Sequence, residues 1–185
     1  MSEKIAVHWF RQDLRIKDNP SLEAASKCDS FIPIYILDDT NSGEFKMGSA
    51  SRWWLYHSLN KLNESLGGSL RLFKGDPCEI LPKLIEDYSV SNVFWNRCYE
   101  PWRIDRDKKI KNELETNNII VESFCGSLLW EPWNISKDDG TPYRVFTPYY
   151  KKGCLNASEP RLPISEPSFE LSLIHISEPT RLITI

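Results

Sequence analysis

Residues 4–27 read KIAVHWF, then RQDLRIKDN, then PSLEAASK, and these three pieces decide the fold class. The first piece (4–10) is apolar after Lys4 and rich in β-branched and aromatic side chains, the pattern of a strand buried on both faces. The third (20–27) predicts a short helix, with Asn19 as its N-cap and Pro20 at the first helical position. The same strand–loop–helix unit returns along the chain. FIPIYIL (31–37) predicts the second strand, and its Pro33, which lacks a ladder donor, predicts an outer position or a bulge. The longest helix is expected from about Ser49 to Leu66, because Leu55, Leu59, Leu62 and Leu66 form one apolar stripe and Gly67-Gly68 follows as a stop. A third strand is expected over 70–74, a helix opened by Asp76-Pro77 to about Tyr88, and a fourth strand over 91–97 (SNVFWNR). A charged helix over 100–117 and a fifth strand over 119–124 (IIVESF) complete the series.

Five short apolar strands separated by helices predict an α/β fold: a doubly wound five-stranded parallel sheet, Rossmann-like, with helices on both faces. Ligands are then expected at the carboxyl ends of the strands. Beyond Gly126 the character changes. Seven of the twelve prolines lie between Pro132 and Pro179 and no helix pattern of useful length appears, which predicts an extended linker.

Composition excludes several classes. The 185 residues carry 41% hydrophobic and 26% charged side chains, an ordinary globular balance that argues against a disordered or fibrous chain. No apolar run approaches the roughly 20 residues of a membrane span, and the opening residues lead straight into the first strand without the pattern of a signal or transit peptide. Five widely spaced cysteines make neither a CxxC pair nor a metal spacing, so a reduced, cytoplasmic protein is expected, without a metal site. A formal charge of −3 makes the chain by itself a poor nucleic-acid binder. GxGxxG, the P-loop, GxSxG and HExxH are all absent, and His8, His57 and His175 are isolated. His8 and His57 are therefore expected to be core or surface residues and not parts of a triad.

The loop 9–19, WFRQDLRIKDN, crowds Arg11, Arg15, Asp13 and Asp18 together at the ligand end of the predicted sheet. By composition alone it is either a solvated charged loop or an ion-pair network built on bidentate arginines. The order of residues resembles the opening of the DNA photolyase/cryptochrome family, W-F-R-x-D-L-R-x-x-D-N. Further matches follow in order: Gly75-Asp76-Pro77, WNRCYEP (95–101) and PYRVFTPYYK (142–151), with SRWWL (51–55) and GSLLWEPW (126–133) pointing to the branch that repairs cyclobutane pyrimidine dimers. The resemblance covers roughly residues 4–155.

The resemblance implies an antenna domain over 1–130, which holds an auxiliary light-harvesting chromophore at the carboxyl ends of its strands, and a partial interdomain linker over 131–170. FAD, ultraviolet-damaged DNA and the electron-transfer tryptophans would belong to a C-terminal helical domain that these residues do not include, so no catalytic residue is expected here. The parent would be a FAD-dependent deoxyribodipyrimidine photolyase, a monomer with no membrane partner. A cryptochrome photoreceptor and a free-standing nucleotide- or flavin-binding α/β module are the other readings. By position in the family pattern the cleft residues would be Leu37, Asp38, Arg52, Cys98 and Glu100. Arg11, Asp13, Arg15, Asp18, Asn19, Phe146 and Pro148 would be structural motif residues, with the aromatics of 146–151 anchoring the linker. Trp102-Arg103 stand where some relatives carry an Asn-Glu pair for folate, and Cys98 where deazaflavin-binding relatives carry an acid, so folate, deazaflavin, FMN or an empty cleft all remain open. Trp53 and Trp54, about 100° apart on a helix, cannot face one cleft together; one is expected in the core and the other against the absent domain. Finally, LSLIHISEPTR (171–181) resembles the translation of a transposon-end sequencing adapter, so residues 171–185 are expected to be artefact and stay outside the fold argument.

Overall fold

The computed structural model describes residues 3–168, so the expected adapter-derived tail at 171–185 lies outside the described residues. Five parallel strands, β1 (Ile5–Phe10), β2 (Ser30–Leu37), β3 (Arg71–Lys74), β4 (Asn92–Asn96) and β5 (Ile120–Phe124), form one sheet in the order β3-β2-β1-β4-β5. The chain winds outward from β1 to β3, then returns to place β4 on the other side of β1. That reversal is the switch point at which open α/β sheets bind ligands. Four helices cover the sheet: α1 (Pro20–Ala25), α2 (Ser49–Ser65), α3 (Pro77–Tyr88) and α4 (Pro101–Thr116).

The strand alternation sorts the core into two layers. Ala6 and Phe10 of β1, with Phe31 and Tyr35 of β2, pack under α1 and the Leu55-Leu59-Leu62-Leu66 stripe of α2. Val7 and Trp9, with Ile32, Ile34 and Ile36, pack against Leu81 and Leu84 of α3 and Ile110 and Leu114 of α4. The helix starts are set by their caps. Asn19 accepts from the Leu22 N–H at 3.2 Å and Asp76 from the Cys78 N–H at 2.9 Å, each followed by proline at the first helical position.

Three expectations change. β2 is not an edge strand; Pro33 is tolerated because β3 pairs with β2 only from Ile34 onward, leaving that flank open at residue 33. Trp53 and Trp54 are both exposed, at 62% and 68%, so neither enters the core. The sheet-facing stripe of α2 is already filled by its leucines, and residues one and two positions before Leu55 point away from it. The linker is not wholly extended either: residues 146–156 coil into successive helical turns. Phe146, one turn before Tyr150, stacks on that ring at 5.8 Å with planes 7° apart. Pro148 sits within the first of these turns, where its missing N–H costs little. Phe146 is 73% exposed, so its ring anchors the turn to itself. The segment expected to be a linker is pinned elsewhere: the Ile164 carbonyl accepts from the Asp18 N–H at 2.9 Å, and Arg161 pairs with the Asp18 carboxylate at 2.5 Å, holding it below the usual carboxylate range.

His8 is a core residue. Its ring is fully buried, Nε2 lies 2.8 Å from Ser21 Oγ, and Phe10 meets it edge-on at 4.2 Å. Burial pulls its pKa down to about 4, against the opposing pull of Asp13. Because the folded pKa is below the unfolded value near 6.5, the stabilising effect is complete above that value and is lost as pH falls toward 4. Stability is expected to fall by about 2 kcal/mol between pH 7 and pH 5 from this residue. Urea denaturation at both pH values will show the loss in the native chain and its near disappearance in His8→Asn.

Candidate functional site

A cleft of about 830 Å³ opens over the carboxyl ends of β1 and β2, within the size range of small-molecule sites. The floor comes from Trp9 and Arg11 of the first strand and its loop, and from Tyr35 to Asp39 at the end of the second. One wall is the turn before α2 and its first residues, including Phe45, Met47 and Trp54. The other wall is Trp102, Arg103 and Arg106 of α4. Helical spacing explains the last group. Arg106, Ile110 and Leu114 form the sheet-facing stripe of α4, so Arg106 is carried to the strand ends with the core residues.

Arg106 is buried and joins two carboxylates, Asp38 at 2.8 Å and Asp107 at 2.8 Å. Asp107 also accepts from Arg11 at 2.5 Å. The result is a chain Asp38–Arg106–Asp107–Arg11 of balanced charge that ties α4 to the ends of β2 and β1. Burial works against the charged guanidinium of Arg106, and Asp107 and Asp38 more than offset it, so its pKa is raised. The same arginines are interleaved with indoles. Arg11 and Arg106 lie 4.7 and 5.0 Å from the Trp9 ring, and Arg106 and Arg103 lie 5.2 and 4.9 Å from Trp102. Tyr35 is buried beneath, its phenol pushed up to about 12 by burial, so it stays protonated at neutral pH.

Of the two readings left open for the loop motif, the structure shows the network, and part of it reaches the cleft. Arg11, Asp13 and Arg15 line it. Asp13 accepts from Arg11 N–H, from Asn19 Nδ2 at 3.2 Å and from Asn96 Nδ2, which also bonds Asn19 Oδ1 at 2.8 Å. Arg15 donates to the carbonyls of Asp18 at 2.9 Å and Gly126 at 2.5 Å. Asp18 and Asn19 hold the loop without touching the cleft, and Phe146 and Pro148 do not line it.

Of the five cleft residues expected from the sequence, Leu37 and Asp38 line the cavity. Arg52, Cys98 and Glu100 stand behind the lining. Arg52 pairs with Asp39 at 2.7 Å, and Cys98 Sγ lies 3.4 Å from Arg103 Nη1. Glu100 accepts from Gln12 at 2.7 Å and lies 3.7 Å from Arg103. Trp102, Arg103 and Arg106 were not named as cleft residues, although Trp102-Arg103 occupy the positions of the folate-contacting pair of some relatives; the further signal was the aromatic-basic cluster at i, i+1 and i+4 opening α4. Trp9 opens the family motif but had no cleft role assigned to it, and Tyr35 carried no signal beyond strand pattern.

The lining suits a flat aromatic ligand with hydrogen-bonding edges. Indole and phenol rings offer faces, and Arg11 Nη2 and Ser42 Oγ are buried without a hydrogen-bond partner among the described residues, polar capacity the chain leaves open. The described residues hold no cluster of three or more His, Cys, Asp or Glu fit for a metal, and no helix among them is long and apolar enough to cross a membrane.

The family described as DNA photolyase matches residues 6–168. Deoxyribodipyrimidine photo-lyase of Agrobacterium fabrum is 40% identical over 173 residues, 90% of this chain and 35% of that protein. Cryptochrome-2 of Arabidopsis thaliana is 39% identical over 160 residues, 84% of this chain and 26% of that protein. The crystal structure of a bacterial class III photolyase from Agrobacterium tumefaciens superposes with a TM-score of 0.83 at 36% identity, over 92% of this chain and 36% of that one. The archaeal photolyase from Sulfolobus tokodaii, whose crystal structure contains two FAD molecules, gives 0.70 at 26% identity, over 91% of this chain and 38% of that one. The chain thus spans about a third of the length of the relatives it matches.

Arg106 and Arg52, two of the paired cations at the cleft, differ in burial and will differ in energetic weight. Arg106→Met leaves Asp38 and Asp107 without their shared cation and is expected to destabilise the fold by about 3 kcal/mol. Arg52→Met breaks a pair whose side chains are both 23% exposed and is expected to cost about 1 kcal/mol or less. Urea midpoints of the two variants, at matched m-values, make the comparison.

Proposed function

The chain belongs to the DNA photolyase family, and from that premise we propose that it is the light-harvesting α/β domain of a FAD-dependent deoxyribodipyrimidine photolyase. The observation that carries this reading is the ring-and-arginine cleft at the carboxyl ends of β1 and β2, beside the switch point. An antenna chromophore bound there supplies absorption of near-ultraviolet or blue light and passes on the excitation energy. Folate, deazaflavin and FMN each have the flat, acceptor-rich ring that the lining suits. Trp102 and Trp54 would cover the ring faces, Arg103 and Arg11 would donate to its polar edges, and Leu37 and Tyr35 would exclude water from its inner side. Asp38 acts through Arg106, holding the α4 wall at its working distance, and Arg52, Cys98 and Glu100 support the lining from behind.

FAD and the ultraviolet-damaged DNA belong, on this reading, to a helical domain in the remainder of the parent protein, which would act as a soluble, cytoplasmic monomer. Residues 1–130 form the antenna domain and 131–170 the start of the interdomain linker. A cryptochrome parent is the second reading, favoured by the 39% identity to a plant cryptochrome over most of the chain.

Titration of the purified chain with methenyltetrahydrofolate, 8-hydroxy-deazaflavin and FMN, followed by ligand and tryptophan fluorescence, is expected to give saturable 1:1 binding of at least one. Trp102→Ala should weaken that binding by about tenfold, the loss of one stacked ring. Failure of all three to bind would overturn the antenna reading. Light-dependent repair of thymine dimers by the full parent protein, or its absence with FAD bound and photoreduced, separates photolyase from cryptochrome.

A further inference from the structure

A second groove, of about 490 Å³, runs beside the cleft between α2 and the loop that follows β1. It shares Leu14, Arg15, Trp54 and Ser58 with the cleft, so the two cavities are neighbours across one exposed indole. The α2 wall consists of Trp54, His57, Ser58, Lys61, Leu62 and Ser65, spaced by three and four and therefore on one helix face. That face extends about 16 Å, from 1.5 Å of rise per residue. Leu14, Ile16 and Leu62 give an apolar base, and Arg15, Lys17 and Lys61 give three cations.

The charge balance points to the occupant. The chain as a whole is formally −3, yet none of the residues lining this groove is acidic. Two carboxylates lie just outside it. Glu64 pairs with Lys61 at 2.7 Å on an exposed surface, and Asp18 is 3.9 Å from Arg15 but is itself taken by Arg161 at 2.5 Å. Both Lys61 and Glu64 are largely exposed, so their pair is weak and can be exchanged for another anion. Arg15 is fixed by backbone carbonyls and cannot swing away. By contrast, the deep end of the cleft is the closed, charge-balanced chain from Asp38 to Arg11. The floor of the main cleft therefore offers ring contacts with no net charge, and the groove offers positive charge.

We propose that the groove is an anion subsite continuous with the cleft, which takes the phosphate- or carboxylate-bearing tail of the chromophore whose ring lies on the other side of Trp54. The ligand class is thus a flat heterocycle with an anionic tail, and the tail crosses the Trp54 edge to meet Arg15, Lys17 and Lys61. The inference rests on the antenna reading.

The test compares ligands that share a ring and differ in tail: riboflavin, FMN and FAD as one series, and 6-methylpterin, methenyltetrahydrofolate and its triglutamate as the other. In at least one series the tailed ligands are expected to bind the native chain about tenfold more tightly than the bare ring at low salt, with most of that gain lost at 0.5 M salt. The double variant Lys17→Ala/Lys61→Ala should abolish the gain while leaving bare-ring affinity within about twofold; both lysines are at the surface, and an unchanged melting temperature checks the fold. The phosphate and glutamate series identify which tail the groove prefers. Equal affinity for bare and tailed rings, or a tail gain that survives the double variant, would sink the subsite and leave the antenna reading standing. Failure of every ligand in both series to bind would remove both.

Discussion

Arg106 is the contact on which the ligand end of this domain depends. A guanidinium buried on the core-facing stripe of α4 is stable only if its charge is answered, and here Asp38 and Asp107 answer it from the end of β2 and from its own helix. Asp107 passes the constraint to Arg11 at the end of β1. Three elements that meet at the switch point are thereby set relative to one another by charge geometry and not only by apolar packing, which is directionless. The Trp9 and Trp102 rings lie against the same guanidinium groups, so the aromatic surfaces offered to a ligand are positioned by the network that fixes the walls.

A second polar knot shapes the rest of the rim. Asp13, Asn19 and Asn96 are buried together and hydrogen-bond one another, with Asn19 also capping α1 and Asn96 Oδ1 left without a partner among the described residues. The loop after β1 is held to β4 by this knot, and through Arg15 to the Gly126 carbonyl beyond β5. The chain beyond β5 is fastened in the same way. Glu131 is buried against Arg97 and Tyr99, and Arg161 and Ile164 return to Asp18. A loop rich in charge is thus one of the more constrained parts of the molecule, because its ions face one another across elements distant in sequence.

Most of the architecture could be read from local pattern. KIAVHWF, FIPIYIL and their relatives are too apolar for any other element at their length, and Asn19-Pro20 and Asp76-Pro77 mark helix starts by hydrogen-bonding rules that act within three residues. The tryptophan pair in SRWWL departs from expectation because periodicity gives the angle between neighbours but not which face is already occupied; the leucine stripe fills the sheet-facing side, and both indoles are left outside. Pro33 sits in an inner strand because edge character belongs to a position along a strand, and β3 is too short to reach it.

For the site, the sequence by itself determined the end of the sheet at which a cleft would form, the crowding of charge in the loop after β1, and the family pattern that joins them; that this loop is an ion-pair network and not a solvated one was decided by the structure. Each depends on residues within a dozen positions of one another or on motif order. Only the tertiary structure decided which side chains face the cavity. Leu37 and Asp38 do, whereas Arg52, Cys98 and Glu100 support residues that do, and Trp102, Arg103 and Arg106 supply a wall. The reason is physical: α4 follows β4, across the switch point from β2, and its reach over the cleft is set by the crossover and by ion pairs such as Arg106–Asp38, whose partners lie 68 residues apart. No local rule encodes a pairing at that distance; it exists once the sheet order has brought the two ends together.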